Sequence, residues 1–411
     1  MHRRDVIRGL SAGLVAGGIA APFVSRAAAQ SGKTLVFGGS VPLSGAAAET
    51  GLNVNNGYIT AVDYLNEHGG VEIGGEKYQL KLSLFDDASD PSRAVTLIQR
   101  QLDEGTQFFL GSFGSNIVLP TAAVVERAGK LMVQTGGGSD QIFTKGYKNI
   151  FGMYPRASRQ TRSTPEFFKG LKPEPRSISV VLTNDAFSKT SAQGMVNDCK
   201  AAGFEVLGTY ELPEKVTDVS SVLAAIRAKT PDILACVTHD QDSLLIARQM
   251  IATGTNVKLL LQELGPQLAS YRESLGKYAE GICVHTYWEP DAPFKGKFFP
   301  TAAKFAEYYH SKFTRPITYH VAGAAACIVT YILAMQDAKS TEPAKVRDAL
   351  AKADYETFYG RIKFTPDGDG DPLLMGPSMA QVQKGKLELV FPENARTAPT
   401  IYPVPPWDKK A

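Results

Sequence analysis

Short apolar segments alternate with longer amphipathic ones from Lys33 onward, and this order constrains the fold more than any other feature. Residues 34–43, 108–111 and 178–182 are apolar runs of strand length. Segments such as 91–104, which begins with a proline and continues with apolar residues at helical spacing, lie between such runs. Strands separated by helices of about 10–15 residues are typical of βαβ units and parallel sheets. The sequence therefore predicts an α/β protein.

The chain divides into two such units, and residues 151–155 are the predicted first crossing between them. Beyond Trp288, helical patterns at 301–313, 321–338 and 343–353 are long enough to pack back on the first unit. We therefore predict two doubly wound parallel-sheet lobes. Lobe 1 is assigned to residues 31–152 and 289–357, and lobe 2 to residues 153–288 and 358–411.

The first 29 residues have the pattern of an export signal. Arg3 and Arg4 precede a mild apolar stretch rich in glycine and alanine, and Ala27, Ala28 and Ala29 form a small-residue cleavage site. The arginine pair predicts export by the twin-arginine route. The apolar stretch is too short and too rich in glycine for a helix that spans about 30 Å of hydrocarbon. The expected location of the mature chain is the periplasm.

The charge balance and the spacing of the cysteines are those of an ordinary globular protein. The predicted signal holds four of the 44 basic residues and one of the 41 acidic ones, so the remaining chain is almost neutral. A nearly neutral chain gives no sign of a nucleic-acid partner. The cysteines lie in apolar or helical stretches without paired spacing, which indicates buried small side chains, although disulfides stay open in an oxidising compartment: Cys199, Cys236, Cys283 and Cys327.

Sequence patterns of catalysis and metal binding are poor. Beyond the predicted signal the chain has no GxGxxG motif, no P-loop, no GxSxG elbow and no HExxH pair. The aspartate and glycine run at 367–371 suggests a calcium loop, but the twelfth position is Ser378 where an EF-hand needs glutamate. A turn is the better interpretation of this run. We expect no enzymatic activity, no cofactor and no metal site.

Two predicted strand ends suit a small anion. Residues 113–116 end one strand and open a helix, and residues 135–140 follow the next strand. Glycines there permit close approach to the backbone, and free N–H groups and hydroxyls at helix N-termini suit a carboxylate. The candidates are Ser115, Asn116 and Ser139. The alternative is a pair of tight turns in which these side chains only cap helices.

Several motifs, in this order and spacing, resemble the leucine/isoleucine/valine-binding protein family of solute receptors for ABC transporters. They are the PLSG segment at 42–45, the NEHGGV segment at 66–71, the DDASDP turn at 86–91, the LGSFGS segment at 110–115, and the pairs at 138–139 and 146–147. The resemblance covers nearly the whole chain beyond the predicted signal. It implies the type I periplasmic binding protein fold, in which three crossover segments join two lobes that close on the ligand.

The resemblance also implies roles for particular residues. Ser115 and Ser139 would each offer a hydroxyl and a backbone N–H, and Ser115 would meet the carboxylate of an amino acid. The amine would meet the Gly137 carbonyl and the Glu263 carboxylate. An acidic side chain there makes a charge-assisted bond to an ammonium group.

The sequence departs from the family at positions that shape the ligand side-chain pocket. Thr50 stands where the family has an aromatic lid, and Phe187 and His239 stand at two tyrosine positions. Phe187 and Trp288 are candidates for an apolar wall, with core packing as the alternative. Cysteines that form a disulfide in close relatives are replaced by Ser89 and Gly114. Aromatic carboxylates, amides and other amino acids therefore all stay open as ligands.

Taken together, the residues and the resemblance predict a non-enzymatic periplasmic solute-binding protein. Its partners would be a small carboxylate-bearing ligand, such as an amino acid, and the permease of an ABC transporter. One alternative is a periplasmic sensor that presents an amide or aromatic acid to a regulator or receptor. A second alternative, an enzyme on the same two-lobed scaffold, would consume its bound solute.

Overall fold

A computed structural model describes residues 32–410, so the predicted export signal lies outside the described residues. The strands of the first sheet, which we number in chain order, are β1 (Lys33–Val41), β2 (Val71–Ile73), β3 (Glu76–Asp86), β4 (Phe108–Leu110), β5 (Leu131–Gln134) and β6 (Ile150–Gly152). Their order across the sheet is β2-β3-β1-β4-β5-β6, and only the β2–β3 pair is antiparallel.

The second sheet contains β7 (Ser177–Thr183), β8 (Glu205–Leu212), β9 (Ile233–Val237), β10 (Leu259–Gln262), β11 (Cys283–Thr286), β14 (Ser378–Gln383) and β15 (Lys386–Phe391). Its order is β15-β14-β11-β10-β9-β7-β8. Strands β7 to β11 are parallel to one another, while β14 and β15 add an antiparallel edge. A separate hairpin pairs β12 (Asp354–Thr357) with β13 (Gly360–Lys363).

The helices cover the faces of these sheets, as expected for doubly wound lobes. They are α1 (Ala48–Glu67), α2 (Pro91–Asp103), α3 (Ser115–Arg127), α4 (Asp140–Phe143), α5 (Ala157–Gln160), α6 (Thr164–Gly170), α7 (Ala186–Ala201), α8 (Ser220–Lys229), α9 (Asp240–Ala252), α10 (Ala269–Leu275), α11 (Ala302–Lys312), α12 (Tyr319–Ala338) and α13 (Pro343–Leu350). As the helical patterns beyond Trp288 predict, α12 packs against α1 and β5 of the first sheet.

The central strand β9 shows why its sequence is an unbroken apolar run. Ile233, Ala235 and Val237 enter the core on one face of the second sheet. Leu234 and Cys236 enter the core on the other face. Successive side chains of a strand point to opposite faces, so a strand covered by helices on both sides must be apolar throughout.

Helix α12 is apolar on nearly every side because it is a core element. Within residues 32–410 it is the one helix long and apolar enough to span a bilayer, yet 78% of its most apolar window is buried in the fold. Its hydroxyl and ring groups contribute to the same core, with Tyr331 packed against Phe37 at a ring distance of 5.3 Å. A helix that is apolar all round is stable only when its whole surface is covered.

The chain crosses between the two sheets three times, and hydrogen bonds tie the crossing segments together. The Gly152 N–H donates to the Gly368 carbonyl at 2.8 Å, and the Gly370 N–H donates to the Tyr154 carbonyl at 2.9 Å. The indole of Trp288 on the second crossing donates to the Phe358 carbonyl at 2.9 Å. The first two bonds join the first crossing to the third, and the Trp288 bond joins the second crossing to the hairpin of β12 and β13.

The structure confirms the predicted fold class and adds detail. The sheets are mainly parallel but not wholly so, because β2, β14 and β15 are antiparallel additions at their edges. The aspartate and glycine run at 367–371 is a turn, as predicted: Gly368 has a φ of 91° and the Asp369 carboxylate accepts from the Arg156 N–H at 3.1 Å. A side chain at Gly368 would lie 2.2 Å from the Ile150 carbonyl oxygen, so only glycine fits.

Candidate functional site

Loops at the carboxyl ends of the parallel strands converge on one cavity of about 40 Å³ between the sheets. The loops after β4 and β5 supply one wall, which consists of Phe113, Gly114, Ser115, Gly136 and Gly138. The loops after β7, β9 and β10 supply the facing wall, which consists of Phe187, His239, Glu263 and Leu264. Strand ends at the edge of an open parallel sheet are the usual ligand position in α/β folds.

Ser115 joins the two loops of the first wall. Its hydroxyl oxygen accepts from the backbone N–H groups of Gly138 at 3.0 Å and Ser139 at 2.9 Å. Because Gly114 has a φ of 96°, the chain can turn sharply before α3 and present Ser115 in the first helical turn. With both N–H groups donating to its oxygen, the hydroxyl proton of Ser115 is available to an acceptor in the cavity.

Gly138 and Phe187 bring the two walls into contact. A Cβ atom at Gly138 would lie 3.0 Å from the Phe187 ring and 2.9 Å from the Gln160 amide nitrogen. The absence of a side chain at residue 138 therefore allows Phe187 to reach across from α7. The aromatic ring shields one side of the cavity, which strengthens polar interactions inside it.

Glu263 is buried, and a histidine that sequence reasoning left unassigned holds it in place. His285 Nδ1 lies 2.8 Å from Glu263 Oε2, and His285 Nε2 lies 2.9 Å from the Thr164 hydroxyl. The exposed fractions are 4% for Glu263 and 2% for His285. No bond to Glu263 Oε1 is found within residues 32–410, so one carboxylate oxygen is anchored and the other is available in the cavity.

A second acid–histidine pair lies on the same wall. Asp185 caps α7 by accepting from the Phe187 and Ser188 N–H groups, and its carboxylate lies 3.1 Å from His239 Nε2. Burial acts to lower the pKa of His239, but hydrogen bonding and attraction to Asp185 outweigh it and raise that pKa. The pair places the His239 imidazole next to the Phe187 ring, at a centroid distance of 6.0 Å.

The end of the cavity nearest the crossings is aromatic. Tyr154 and Tyr287 stand 4.5 Å apart by ring centroids, and Tyr287 stands 5.3 Å from Tyr319. His320 stacks on Tyr319 at 4.0 Å and meets Phe113 edge-on at 5.2 Å. Two of these residues lie on crossing segments and two begin α12, so this wall combines elements far apart in the sequence.

The rim of the cavity carries three hydrogen bonds that link the two sheets' helices. The Thr50 hydroxyl donates to Asp240 Oδ2 at 2.7 Å, and the Ser270 hydroxyl donates to Glu49 Oε1 at 2.6 Å. The Gln241 amide donates to the Ala46 carbonyl at 3.3 Å. The start of α1 is thus fastened to α9 and α10, at the position where the resemblance implied an aromatic lid.

Of the eight residues predicted for the site, Ser115, Phe187, His239 and Glu263 line the cavity. Asn116 is exposed on α3. The Gly137 carbonyl accepts from the Gln134 amide at 2.8 Å, and the Ser139 hydroxyl caps α4 by accepting from the Gln141 N–H at 3.4 Å. Neither residue lines the cavity.

Trp288 also does not line the cavity. It is 3% exposed, packs edge-on against Phe305 at 5.7 Å, and belongs to the core. Of the two roles considered for Trp288, core packing is therefore the one observed, and its indole nitrogen donates to the Phe358 carbonyl. Sequence reasoning missed Tyr154, Tyr287 and His320 as lining residues. The one signal available was the position of the two tyrosines next to the predicted crossings.

Metal and thiol chemistry find no support at this site. Within residues 32–410 there is no group of three histidine, cysteine or acidic side chains placed to hold a metal ion. The four cysteines are buried free thiols, in agreement with the prediction of small core side chains. Burial raises the pKa of Cys199 to about 12, which keeps this thiol protonated and unreactive.

Known proteins resemble this chain over most of its length. The Leu/Ile/Val-binding protein homolog 8 of Brucella abortus is 25% identical over 379 residues, which cover 88% of this chain and 91% of the relative. The Leu/Ile/Val-binding protein homolog 1 of Brucella melitensis is 26% identical over 373 residues, which cover 85% of this chain and 94% of the relative.

Solved structures share the fold. A leucine-binding protein, LivK, of Thermotoga maritima superposes with a TM-score of 0.76 at 20% identity, covering 86% of this chain and 97% of its own. A solute-binding protein of an ABC transporter from R. palustris, in complex with benzoate, superposes with a TM-score of 0.74 at 16% identity. The superposition covers 90% of this chain and 98% of the R. palustris chain. The family model described as periplasmic binding protein matches residues 34–386. The chain therefore belongs to the periplasmic binding protein family.

Proposed function

We propose that the chain binds an amino acid, or a related small carboxylate, between two closing lobes and delivers it to the permease of an ABC transporter. The observation that carries the proposal is the pairing of Ser115 on one wall with the anchored Glu263 on the other. A hydroxyl donor suits a carboxylate, and a carboxylate acceptor suits an ammonium group. Ligand contacts from both walls would stabilise the closed form of the protein.

The environment of Glu263 supports an ammonium partner in particular. The His285 ring is hydrogen-bonded to Oε2, while Oε1 is available in a cavity that no lysine or arginine of the described part of the chain lines. A buried carboxylate oxygen without a partner is costly, so a bound ammonium would recover free energy that burial removes. The aromatic walls are compatible with an aromatic carboxylate as the alternative ligand, and the R. palustris relative was solved with benzoate.

Export through the twin-arginine signal and residence in the periplasm belong to the same proposal. We infer that residues 1–29 are removed and that the lobes span the limits assigned from the sequence. The three crossings, of which the first and third are joined by backbone hydrogen bonds, would act as the hinge. The rim bond between α1 and α9 would form on closure.

Thermal-shift screening of the mature protein against amino acids, keto acids, aromatic carboxylates and small amides tests the ligand class. A ligand at about 100 times its dissociation constant adds about 2.7 kcal/mol to stability, which raises the melting temperature by several degrees. We expect a shift with an amino acid. Recovery of the ligand unchanged after prolonged incubation is the expected result for a binding protein, and its consumption would instead indicate an enzyme.

The variant Glu263→Gln tests the ammonium assignment. Loss of the negative charge should weaken an amino-acid ligand about tenfold or more, because a charged hydrogen bond contributes about 1.5–3 kcal/mol. The exposed Glu307→Gln on α11 is the matched control and should leave the affinity unchanged. If Glu263→Gln binds amino acids as tightly as the native protein, or if only acids without an amine bind, Glu263 does not hold an ammonium group.

A further inference from the structure

The end of the cavity formed by the first turn of α12 and the second crossing contains polar atoms without partners. His320 is 2% exposed, lines the cavity, and makes no hydrogen bond through either ring nitrogen within residues 32–410. The hydroxyl of Tyr287, also a lining residue, is buried and unpartnered in the same described range. Buried polar groups almost always have a partner, so such atoms side by side in a cavity indicate a missing one.

The start of α12 adds hydrogen-bond donors at the same end. The Thr318 side chain, which precedes the helix, does not cap it, and its hydroxyl is buried without a partner among the described residues. The first turn contains no acidic residue. The first N–H groups of a helix lack intrahelical acceptors and carry partial positive charge. Hydroxyl and N–H groups at this end can all donate, so the group that complements them is an acceptor.

The charge of the cavity restricts this acceptor further. Burial lowers the pKa of His320 to about 3, so its imidazole is neutral at physiological pH. Among residues 32–410 no lysine or arginine lines the cavity, whereas the acidic Glu263 does. A second carboxylate on the ligand would therefore be buried near a negative charge without a cation, which is strongly unfavourable. A hydroxyl, amide or carbonyl oxygen accepts hydrogen bonds without that cost.

We propose that the side chain of the ligand ends in a neutral hydrogen-bond acceptor, which is bound by His320, Tyr287 and the first turn of α12. This proposal rests on the proposed function, because it takes the carboxylate end of the ligand to lie against Ser115. The acceptor end would then lie against the aromatic wall, where the unpartnered groups are found. The site is accordingly built for a polar side chain and disfavours leucine, isoleucine and valine.

Matched sets of ligands test the proposal by isothermal titration calorimetry on the mature protein. The sets are asparagine, aspartate and leucine; glutamine, glutamate and methionine; tyrosine and phenylalanine; and 4-hydroxybenzoate and benzoate. In at least one set, the ligand with the neutral acceptor should bind at least about tenfold more tightly than the apolar ligand. Where the set also has an anionic ligand, the neutral one should bind more tightly than that ligand as well. A site built around polar groups rejects a ligand that leaves them unpaired by at least this factor.

Two variants locate the preference at this end of the cavity. His320→Phe and Tyr287→Phe each remove polar atoms with little change of volume, and each should reduce the polar-to-apolar ratio to within about threefold. Two variants are needed because His320 packs against two aromatic rings and its replacement could disturb folding. Tyr402→Phe is the control, since its hydroxyl is also buried and unpartnered within residues 32–410 but Tyr402 does not line the cavity.

Equal or tighter binding of the apolar or anionic member in every set, or binding of no member at all, would overturn the proposal. So would a preference that both variants leave intact. The proposal and the function on which it rests fail in different ways. Leucine bound through Glu263 as tightly as asparagine or more tightly, with the same order in the other sets, would retain the amino-acid function and refute the acceptor. If the protein prefers only 4-hydroxybenzoate over benzoate, and His320→Phe loses this preference, the acceptor proposal is retained. The proposal that the ligand is an amino acid is then refuted.

Discussion

Glu263 and His285 show, at the scale of single residues, how a carboxylate can be buried and still be available to bind a ligand. An unpaired buried charge is strongly destabilising, whereas one held by a donor is tolerated. The His285 ring donates to one carboxylate oxygen, and the Thr164 hydroxyl can donate to its other nitrogen. This chain of three side chains fixes the orientation of Glu263 before the ligand arrives, which lowers the cost of binding.

His285→Leu should therefore weaken an amino-acid ligand about tenfold, because Glu263 loses its donor and its fixed orientation, while His285→Asn should weaken it less. Calorimetric titration with the amino acid and with its analogue that lacks the amine measures the effect. The analogue should be affected little, since it does not use Glu263. His310→Leu, on the exposed face of α11, is the control. Equal losses for both ligands would assign His285 to the core alone.

At the scale of elements, the start of α1 and the starts of α9 and α10 form the rim of the cavity. The bond between Thr50 and Asp240 joins residues 190 positions apart in sequence. Burial raises the pKa of Asp240, although the Thr50 hydroxyl opposes that effect by donating to the carboxylate. The rim bond thus stabilises both the closed arrangement and the charged form of Asp240.

Thr50→Val keeps the shape of the side chain and removes this bond. We expect the dissociation constant of the ligand to rise about three- to tenfold, with most of the change in the dissociation rate, because the bond forms after the ligand has entered. Stopped-flow fluorescence measures both rates. Thr60→Val on the same helix is the control, since its hydroxyl bonds only to the Asn56 carbonyl within α1. An unchanged dissociation rate would show that the rim does not hold the closed form.

At the scale of the whole molecule, the crossings contain a titrating group that couples stability to pH. Glu289 follows β11 on the second crossing, where it accepts from the Thr286 hydroxyl at 2.9 Å. Burial raises its pKa to about 7, and Asp291 and Glu388 act in the same direction, while Thr286 and Arg272 oppose them. The folded protein therefore retains a proton on Glu289 that the unfolded chain loses near pH 4.5.

Because this pKa is higher in the folded protein, its contribution to stability is complete below pH 4.5 and is lost as the pH rises to about 7. Glu289→Gln should remove that loss. Since Glu289 is partly exposed, we expect the variant to be about 1–2 kcal/mol more stable than the native protein at pH 8 and similar at pH 4.5. Urea unfolding at the two pH values measures this difference. Glu307→Gln is the control, and a stability difference between Glu289→Gln and the native protein that is the same at pH 8 and pH 4.5 would contradict the assignment.

Local patterns in the sequence determined the architecture and part of the site. Apolar runs such as β9 specify a strand buried on both faces, and the glycine and serine at 114–115 specify a sharp turn into α3, because both requirements act within a few residues. Local reasoning located Ser115 and the family resemblance located Glu263, but the sequence also suggested roles for Trp288 and Ser139 that packing and capping already occupy.

Only the tertiary structure decided which residues meet. His285 pairs with Glu263 because β10 and β11 are neighbours, and it reaches Thr164, 121 positions away, because the second sheet brings α6 beside it. The aromatic wall combines Tyr154, Tyr287 and His320 from two crossings and α12. No periodicity or spacing encodes such contacts, since they depend on how the crossings return the chain to each sheet. The sequence by itself determined the lobes and their strand ends, and the packing of distant segments decided the chemistry of the cavity.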